Sequence, residues 1–504
     1  ASNNTALGFE ALATNSTGAR QTAVGSLALD AITTGTDSTA IGYNALGAHT
    51  GAASVAVGSE ALAGNTTGSQ NTAVGYAAGT AITTGGTNTA VGYDALKTVT
   101  TNGANTAIGR NALRYSTAAN NTAVGSSAGE ETTSGATNVF VGTNAGVANT
   151  TGGNNVVVGA NALDANTTGD ENTAIGDGAL SANTTADRNV AVGARTLLIN
   201  TTGASNVAVG YEALEVNTTA SNNTAVGSLA LTANTTGTGN VAVGAASLDA
   251  NTSYSYNTAV GHNAMTASNG GNGNVAVGHQ SLLAHTTGDN NTGIGKSSLL
   301  SVTTGHSNAA VGYGSLEALT EGHSCIAVGR DAGASITTAS NNIMLGKDAG
   351  TSGTPGGAIT TASNLICLGD ENIGTANIQV DWTVASDARD KTDVEPLKTG
   401  LSFINQLEPI TYRWDKRSKY SDNQNVSPDG THKEDWLDTG FLAQAVEKLE
   451  EEYGYQMSDK TNLTTTLSED GKMYGLTYSK FVPSLVKAIQ ELSAEVEQLK
   501  QKAH

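Results

Sequence analysis

Short hydrophobic phrases recur along the first 375 residues, and each ends in a glycine. A typical phrase is Asn-Thr-Ala-Val-Gly at residues 71–75. Its final glycine occurs 22 times between Gly8 and Gly369, and of the 21 intervals 18 are 17 residues, two are 16 and one is 23. So regular a period indicates a stack of equivalent units, each built from one repeat. We name one such unit a rung.

The columns of the repeat indicate β-structure. Val, Ile or Leu precedes the glycine, as Val24 precedes Gly25, and a Leu usually follows four residues later, as Leu29 does. Apolar residues in so short a phrase, bounded by Asn and Gly, favour a strand. We predict that these two columns form the core, and that the Ala column represented by Ala23 lets a neighbouring backbone approach closely. The predicted fold class is an all-β solenoid, a β-roll or β-helix with about 17 residues per rung.

A rung of this kind buries only about two large aliphatic side chains, so a single stack is expected to be marginally stable. Association of several chains is the simplest remedy. The phrases resemble the Asn-x-Val-Ala-Ile-Gly heads of trimeric autotransporter adhesins, which have a shorter period, and this resemblance implies a parallel homotrimer.

The hydrophobic period changes near the C-terminus. The apolar residues there are spaced 4, 3, 4 and 3 apart, as in a coiled coil: Leu485, Ile489, Leu492, Val496 and Leu499. We predict a coiled-coil helix over about 484–502 that holds three chains together. The alternative is an amphipathic helix whose apolar face packs on its own domain.

The distribution of charge divides the chain near residue 375. Residues 1–375 hold 31 charged side chains and residues 376–504 hold 37. We therefore predict a repetitive solenoid, which is also the receptor-binding region, over 1–375, a linker over 376–385 and a small α+β domain over 386–504. The net charge of −20 opposes binding to nucleic acid, and no apolar run is long enough for membrane insertion.

Four phrases in the last 119 residues occur in a characteristic order. They are Ser386–Lys391, Leu407–Trp414, Gly440–Val446, and Leu476–Tyr478 together with Val482–Leu492. Together they resemble the intramolecular chaperone domain of endosialidases and other phage tail fibres. The resemblance implies a domain that trimerises, assists folding of the solenoid and cuts the chain between Ala385 and Ser386.

The same resemblance assigns catalytic roles. It places the nucleophile on Ser386 and the general base on Lys391. We assign Asp387 and Arg389 to supporting, positioning roles. The enzyme would be a single-turnover serine autoprotease that acts on no external substrate. A serine beside its own preceding carbonyl is at high effective concentration, and burial or a cation such as Arg389 could lower the pKa of Lys391. The alternative is a charged turn between two domains.

Other candidate sites depart from the repeat or recur within it. Exposed aromatic and basic residues could bind a receptor, and we name Arg114, Tyr115, Tyr254, Tyr256 and Trp382. Two histidine pairs, His262 with His279 and His306 with His323, are each 17 residues apart and should stack on adjacent rungs. We favour surface histidines over a metal site, and we predict no metal and no cofactor.

The resulting hypothesis is the distal part of a phage tail fibre, extracellular and part of the virion. Its partners would be two further copies of itself, a bacterial surface receptor that is a polysaccharide or an outer-membrane protein, and other tail proteins bound through a region upstream of residue 1. The alternatives are a bacterial trimeric surface adhesin and an ice-binding repeat solenoid, the latter suggested by the threonine columns.

Overall fold

The computed structural model describes residues 2–354, 357–379, 382–420, 426–469 and 471–503. It divides into an N-terminal unit, residues 1–305, and a C-terminal unit, residues 306–504. The N-terminal unit holds only rungs, whereas the C-terminal unit holds the last rungs and the α+β domain. No helix among the described residues is both long and apolar enough to cross a bilayer.

Each repeat contributes one strand of three residues. In the N-terminal unit the strands β1–β18 are Thr5–Leu7, Thr22–Val24, Thr39–Ile41, Val55–Val57, Thr72–Val74, Thr89–Val91, Thr106–Ile108, Thr122–Val124, Val139–Val141, Val156–Val158, Thr173–Ile175, Val190–Val192, Val207–Val209, Thr224–Val226, Val241–Val243, Thr258–Val260, Val275–Val277 and Thr292–Ile294. In the C-terminal unit β19–β22 are Ala309–Val311, Ile326–Val328, Ile343–Leu345 and Ile366–Leu368. Within each unit successive strands pair in parallel and in register, so that Ala23 lies opposite Ala40. The predicted β-solenoid with one rung per repeat is confirmed.

The glycine that ends each phrase fixes the close approach of neighbouring rungs. Gly25 has φ +132°, and a Cβ added to it would lie 2.4 Å from the carbonyl oxygen of Gly42 on the next rung. A side chain at this position would therefore both strain the backbone and collide with the stack. This explains why the glycine recurs in every repeat.

The prediction of which columns form the core was half wrong. The Leu column is buried, as Leu29 and Leu46 show, but the residue before the glycine points outward, and Ile41 and Val74 are exposed. Alternation along the strand places the Ala column inside instead, and Ala23 and Ala40 are fully buried. The interior is narrow, so its strand position takes the smaller side chain and the larger Val or Ile faces out.

Asparagine side chains form two buried ladders that run from rung to rung. In the first, the backbone N–H of one Asn donates to the side-chain oxygen of the equivalent Asn on the rung before it, as Asn155 N does to Asn138 Oδ1 at 2.9 Å. In the second, the side-chain amides bond to each other, as Asn166 Nδ2 does to Asn149 Oδ1 at 2.8 Å. The sequence pattern suggested only turn chemistry for these residues, whereas buried amides must be paired and therefore also hold the rungs in register.

The α+β domain has three helices and two small antiparallel sheets among the described residues. The helices are α1 (Leu401–Gln406), α2 (Ala443–Glu452) and α3 (Phe481–Ala503), and the strands are β23 (Ile410–Tyr412), β24 (Asp438–Gly440), β25 (Thr465–Leu467) and β26 (Tyr474–Leu476). β23 pairs with β24, and β25 pairs with β26. Phe403, Val446, Leu449 and Phe481 form its core.

Candidate functional site

The segment before the α+β domain is exposed. Residues 376–379 and 382–385, which include Ala385, are solvent-accessible, and the two remaining linker residues, Val380 and Asp381, lie outside the described residues. Exposed chain between folded parts can enter and leave a reactive geometry without disturbing a core. The proposed scissile bond therefore lies in a segment that packing does not hold.

A short turn follows Ser386 and is capped by Asp387. The carboxylate of Asp387 accepts from Arg389 N at 2.9 Å, and a single 3-10 turn runs over Ala388–Asp390. Aspartate is favoured at such a position because its side chain satisfies an amide that the turn leaves unpaired. The turn reverses the chain and places Lys391 Nζ 2.6 Å from Ser386 Oγ. The two residues assigned as nucleophile and base are thus in direct contact.

Asp387 and Arg389 form an ion pair beside this contact. Arg389 Nη2 lies 2.6 Å from Asp387 Oδ2. The hydrogen bond from Arg389 holds the pKa of Asp387 below its usual value, and the bond to Asp387 raises the pKa of Arg389. Arg389 is therefore engaged by Asp387 in the single chain, and Lys391 is exposed. Its ammonium form donates to Ser386 Oγ, and its neutral amine would accept the hydroxyl proton.

The five residues of the proposed coiled-coil seam lie on one side of α3 and are 40–64% exposed. They are Leu485, Ile489, Leu492, Val496 and Leu499. Val482, which the sequence analysis missed, extends the 3-and-4 spacing by one position and is also exposed. The face of α3 that packs on its own domain is a different one, formed by Phe481, Ser484 and Ala488. The seam is therefore not the core face of the described domain.

Arg114 and Tyr115, two of the predicted receptor-binding residues, lie together in the N-terminal unit. The guanidinium of Arg114 is 5.0 Å from the centre of the Tyr115 ring. It also pairs with two carboxylates, at 3.2 Å from Asp94 and 3.6 Å from Glu130. The charge of Arg114 is thus balanced within the chain, which leaves the half-exposed Tyr115 ring as the accessible part of this pair.

The other predicted receptor-binding residues are aromatic. Tyr256 and Trp382 are strongly exposed, whereas Tyr254 is half-buried. The Tyr256 ring packs over Gly239 on the preceding rung, where an added Cβ would lie 3.0 Å from it. Receptor binding by these residues stays a prediction.

The predicted stacking of histidines is confirmed. The rings of His262 and His279 are 5.5 Å apart and those of His306 and His323 are 4.9 Å apart, each pair nearly parallel. Within the described residues there is no group of three or more His, Cys, Asp and Glu side chains that could hold a metal ion.

One comparison with known proteins gave a match. Residues 386–455 match a family model described as chaperone of endosialidase, which begins at Ser386 and includes Lys391. Searches of the curated proteins and of the solved structures found no match to the chain. The matched segment covers the capped turn, α1, the β23–β24 sheet and α2. The chain is therefore a β-solenoid of repeating rungs followed by a C-terminal domain that matches the chaperone of endosialidase.

Proposed function

We propose that this chain is the distal part of a phage tail fibre that attaches the virion to a bacterial surface. Its C-terminal domain would bring three chains together, assist the folding of the solenoid and then cut the bond between Ala385 and Ser386. The contact of 2.6 Å between Lys391 Nζ and Ser386 Oγ is the observation that supports cleavage most directly. The family match at the same residues supports the assignment of roles.

The proposed reaction has two steps. In the first, neutral Lys391 takes the hydroxyl proton of Ser386, Oγ attacks the carbonyl carbon of Ala385, and the carbon–nitrogen bond breaks as its nitrogen receives that proton. An ester then joins Ala385 to Ser386 Oγ. In the second step water attacks the ester, which releases the carboxylate of Ala385 and restores the serine hydroxyl. One bond is hydrolysed and no external substrate is consumed.

The assembly of three chains is supported by two apolar surfaces that a single chain leaves exposed. One is the seam on α3, whose spacing is typical of parallel helix association. The other is the outward Val, Ile and Leu column of the rungs, which Ile41 and Ile108 represent in the N-terminal unit. Contiguous apolar patches of this kind usually mark association surfaces. Folding long parallel β-structure is slow, so a C-terminal domain that fixes the register would assist it.

The cleavage is tested by intact-mass measurement of the freshly expressed chain beside four variants. We expect a fragment ending at Ala385 from the wild type and from the control Lys398→Ala, which removes another exposed lysine of the same domain. We expect none from Ser386→Ala, Lys391→Ala or Lys391→Arg, since arginine keeps the positive charge but does not accept a proton near neutral pH. A wild type that remains whole, or an active Lys391→Arg, would show that these roles are wrong.

A further inference from the structure

Interior rungs share one hydrogen-bonding pattern in the turn that follows the buried Leu. Up to three successive backbone N–H groups bond to one carbonyl oxygen of the next rung. In the N-terminal unit Thr66 N, Thr67 N and Gly68 N lie 2.9, 3.2 and 3.2 Å from Thr83 O. In the C-terminal unit Thr337 N likewise lies 2.9 Å from Thr360 O. Each rung thus supplies the acceptor that orients the turn of the rung before it.

The last turn of this kind is formed by Thr360, Thr361 and Ala362, and the sequence contains no further repeat to supply their acceptor. Their three N–H groups are directed instead at the carboxylate of Glu469. Thr360 N and Ala362 N are each 3.0 Å from Oε2, and Thr361 N is 2.9 Å from Oε1. The hydroxyl of Thr361 also donates to Oε1. The position that a carbonyl of the next rung occupies in the turns at Thr66 and Thr337 is held here by a carboxylate.

Glu469 belongs to the loop between β25 and β26, more than 100 positions along the chain from the turn that it contacts. Two lysines of the same domain bind the chain just beyond β22. Lys416 Nζ donates to the carbonyl oxygen of Glu371, and Lys419 Nζ donates to Asn372 Oδ1 at 2.7 Å. Three separate side chains of the α+β domain therefore hold the end of the solenoid.

We infer that the C-terminal domain caps the last rung, with the Glu469 carboxylate acting as the acceptor that a following rung would provide. Backbone groups at the end of a β-stack are otherwise open to water or to pairing with another chain. A preformed acceptor orients the last turn, and each earlier turn can then order on the one after it. The cap acts in the intact chain and does not depend on cleavage at Ser386.

The ionised form of Glu469 is the one that this contact favours. Burial opposes ionisation, but the hydrogen bonds from Thr361, Thr360 and Ala362 outweigh it and lower the pKa from 4.5 to about 2. Because the folded pKa is depressed, the stabilisation is complete at pH values above 4.5 and is lost as the pH falls toward 2. Acid should therefore weaken the cap.

Hydrogen exchange tests the cap in the full chain carrying Ser386→Ala, which remains whole whether or not the wild type cuts itself. In the Glu469→Ala variant we expect the amides of Thr360–Ala362 to exchange at least tenfold faster. Those of the turn at Thr66–Gly68, many repeats earlier in the sequence, should change by less than twofold. Glu452→Gln, which removes an exposed carboxylate at the end of α2, is the matched control and should leave both turns unchanged.

The isosteric variant Glu469→Gln keeps the inference testable if Glu469→Ala disturbs the domain. It retains one acceptor oxygen, so we expect a smaller acceleration at Thr360–Ala362 with α2 and α3 still protected. In the parent chain, the protection of these three amides should fall by up to tenfold per pH unit below pH 4.5. Unchanged protection of Thr360–Ala362 in both Glu469 variants, with α2 and α3 intact, would overturn the inference.

Discussion

The packing around Phe140 gives the sharpest test of how the solenoid interior is built. Phe140 occupies the inward strand position where most rungs have Ala, and it is fully buried. The Leu position is Gly on its own rung and on the rung before it, at Gly146 and Gly129. A Cβ added to Gly146 would lie 2.2 Å from the Phe140 ring, and one added to Gly129 would lie 2.6 Å from it. One large ring thus replaces two leucines.

The effect of Gly146→Leu on stability should therefore change sign when Phe140 is replaced by Ala. Phe140→Ala removes a fully buried ring and should cost about 3–5 kcal/mol. Gly146→Leu alone should also destabilise the chain, because its Cβ collides with the ring. In the Phe140→Ala background the same leucine fills the cavity, and burying its side chain should stabilise the fold by about 1.5–3 kcal/mol. Its backbone would be strained at φ +58°, which should cost about 1–2 kcal/mol. We expect a net recovery of on the order of 1 kcal/mol.

The assay is hydrogen exchange at β9 (Val139–Val141), which gives the free energy of local opening for all four chains of the mutant cycle. A local measure is preferable because a long repeat array does not have to unfold in one step. The interpretation is refuted if Gly146→Leu destabilises both backgrounds equally, or if Phe140→Ala costs less than about 1 kcal/mol. The same arrangement recurs at Met344, whose sulfur lies 2.6 Å from a Cβ built on Gly350.

Two further outcomes follow from the burial of single side chains. Burial lowers the pKa of His49 from 6.5 to about 4, so the surrounding rungs should lose roughly 3 kcal/mol of stability as the pH falls from 6.5 to 4. The variant His49→Ile should abolish this loss, because Ile32 occupies the same buried position one rung earlier. A wild type whose stability does not depend on pH in this range would contradict the prediction. On α3, Ile489→Asn should convert an oligomer into a monomer in a light-scattering measurement, because Ile489 lies in the exposed apolar seam. Gln490→Asn, which changes a residue beside the seam, should leave the oligomer intact. Equal masses for both variants would show that the seam on α3 does not hold the chains together.

The period of the solenoid could be predicted from the sequence because a glycine is required wherever rungs approach closely. The orientation of the strand could not. A phrase such as Thr22-Ala23-Val24 shows that its first and third residues share a face, but not which face is inside. Hydrophobicity favoured Val24 for the interior, whereas the width of the interior selects Ala23. The decisive quantity was side-chain volume, which the pattern of apolar and polar positions does not contain.

The candidate site divides in the same way. The residue types at Ser386 and Lys391 were recognised through four ordered phrases, and the contact between their side chains depends on the turn capped by Asp387. Nothing in the sequence distinguished Glu469, because an isolated Glu-Asp-Gly phrase indicates only a turn. Its role depends on a contact with Thr360–Ala362 across more than 100 residues, which only the folded chain provides.

The two asparagine ladders have a consequence for how such a chain can change over generations. Each rung offers its neighbours the same donors and acceptors that it receives, as in the bond from Asn166 to Asn149. Removing or duplicating one whole 17-residue repeat within a regular stretch would therefore join equivalent partners and leave no amide unpaired. The first ladder also continues across a 16-residue repeat, where Asn121 N donates to Asn105 Oδ1 at 3.0 Å, so the requirement is that equivalent positions of two repeats are joined. The number of rungs can thus drift by recombination between repeats, while the contacts within each rung are preserved.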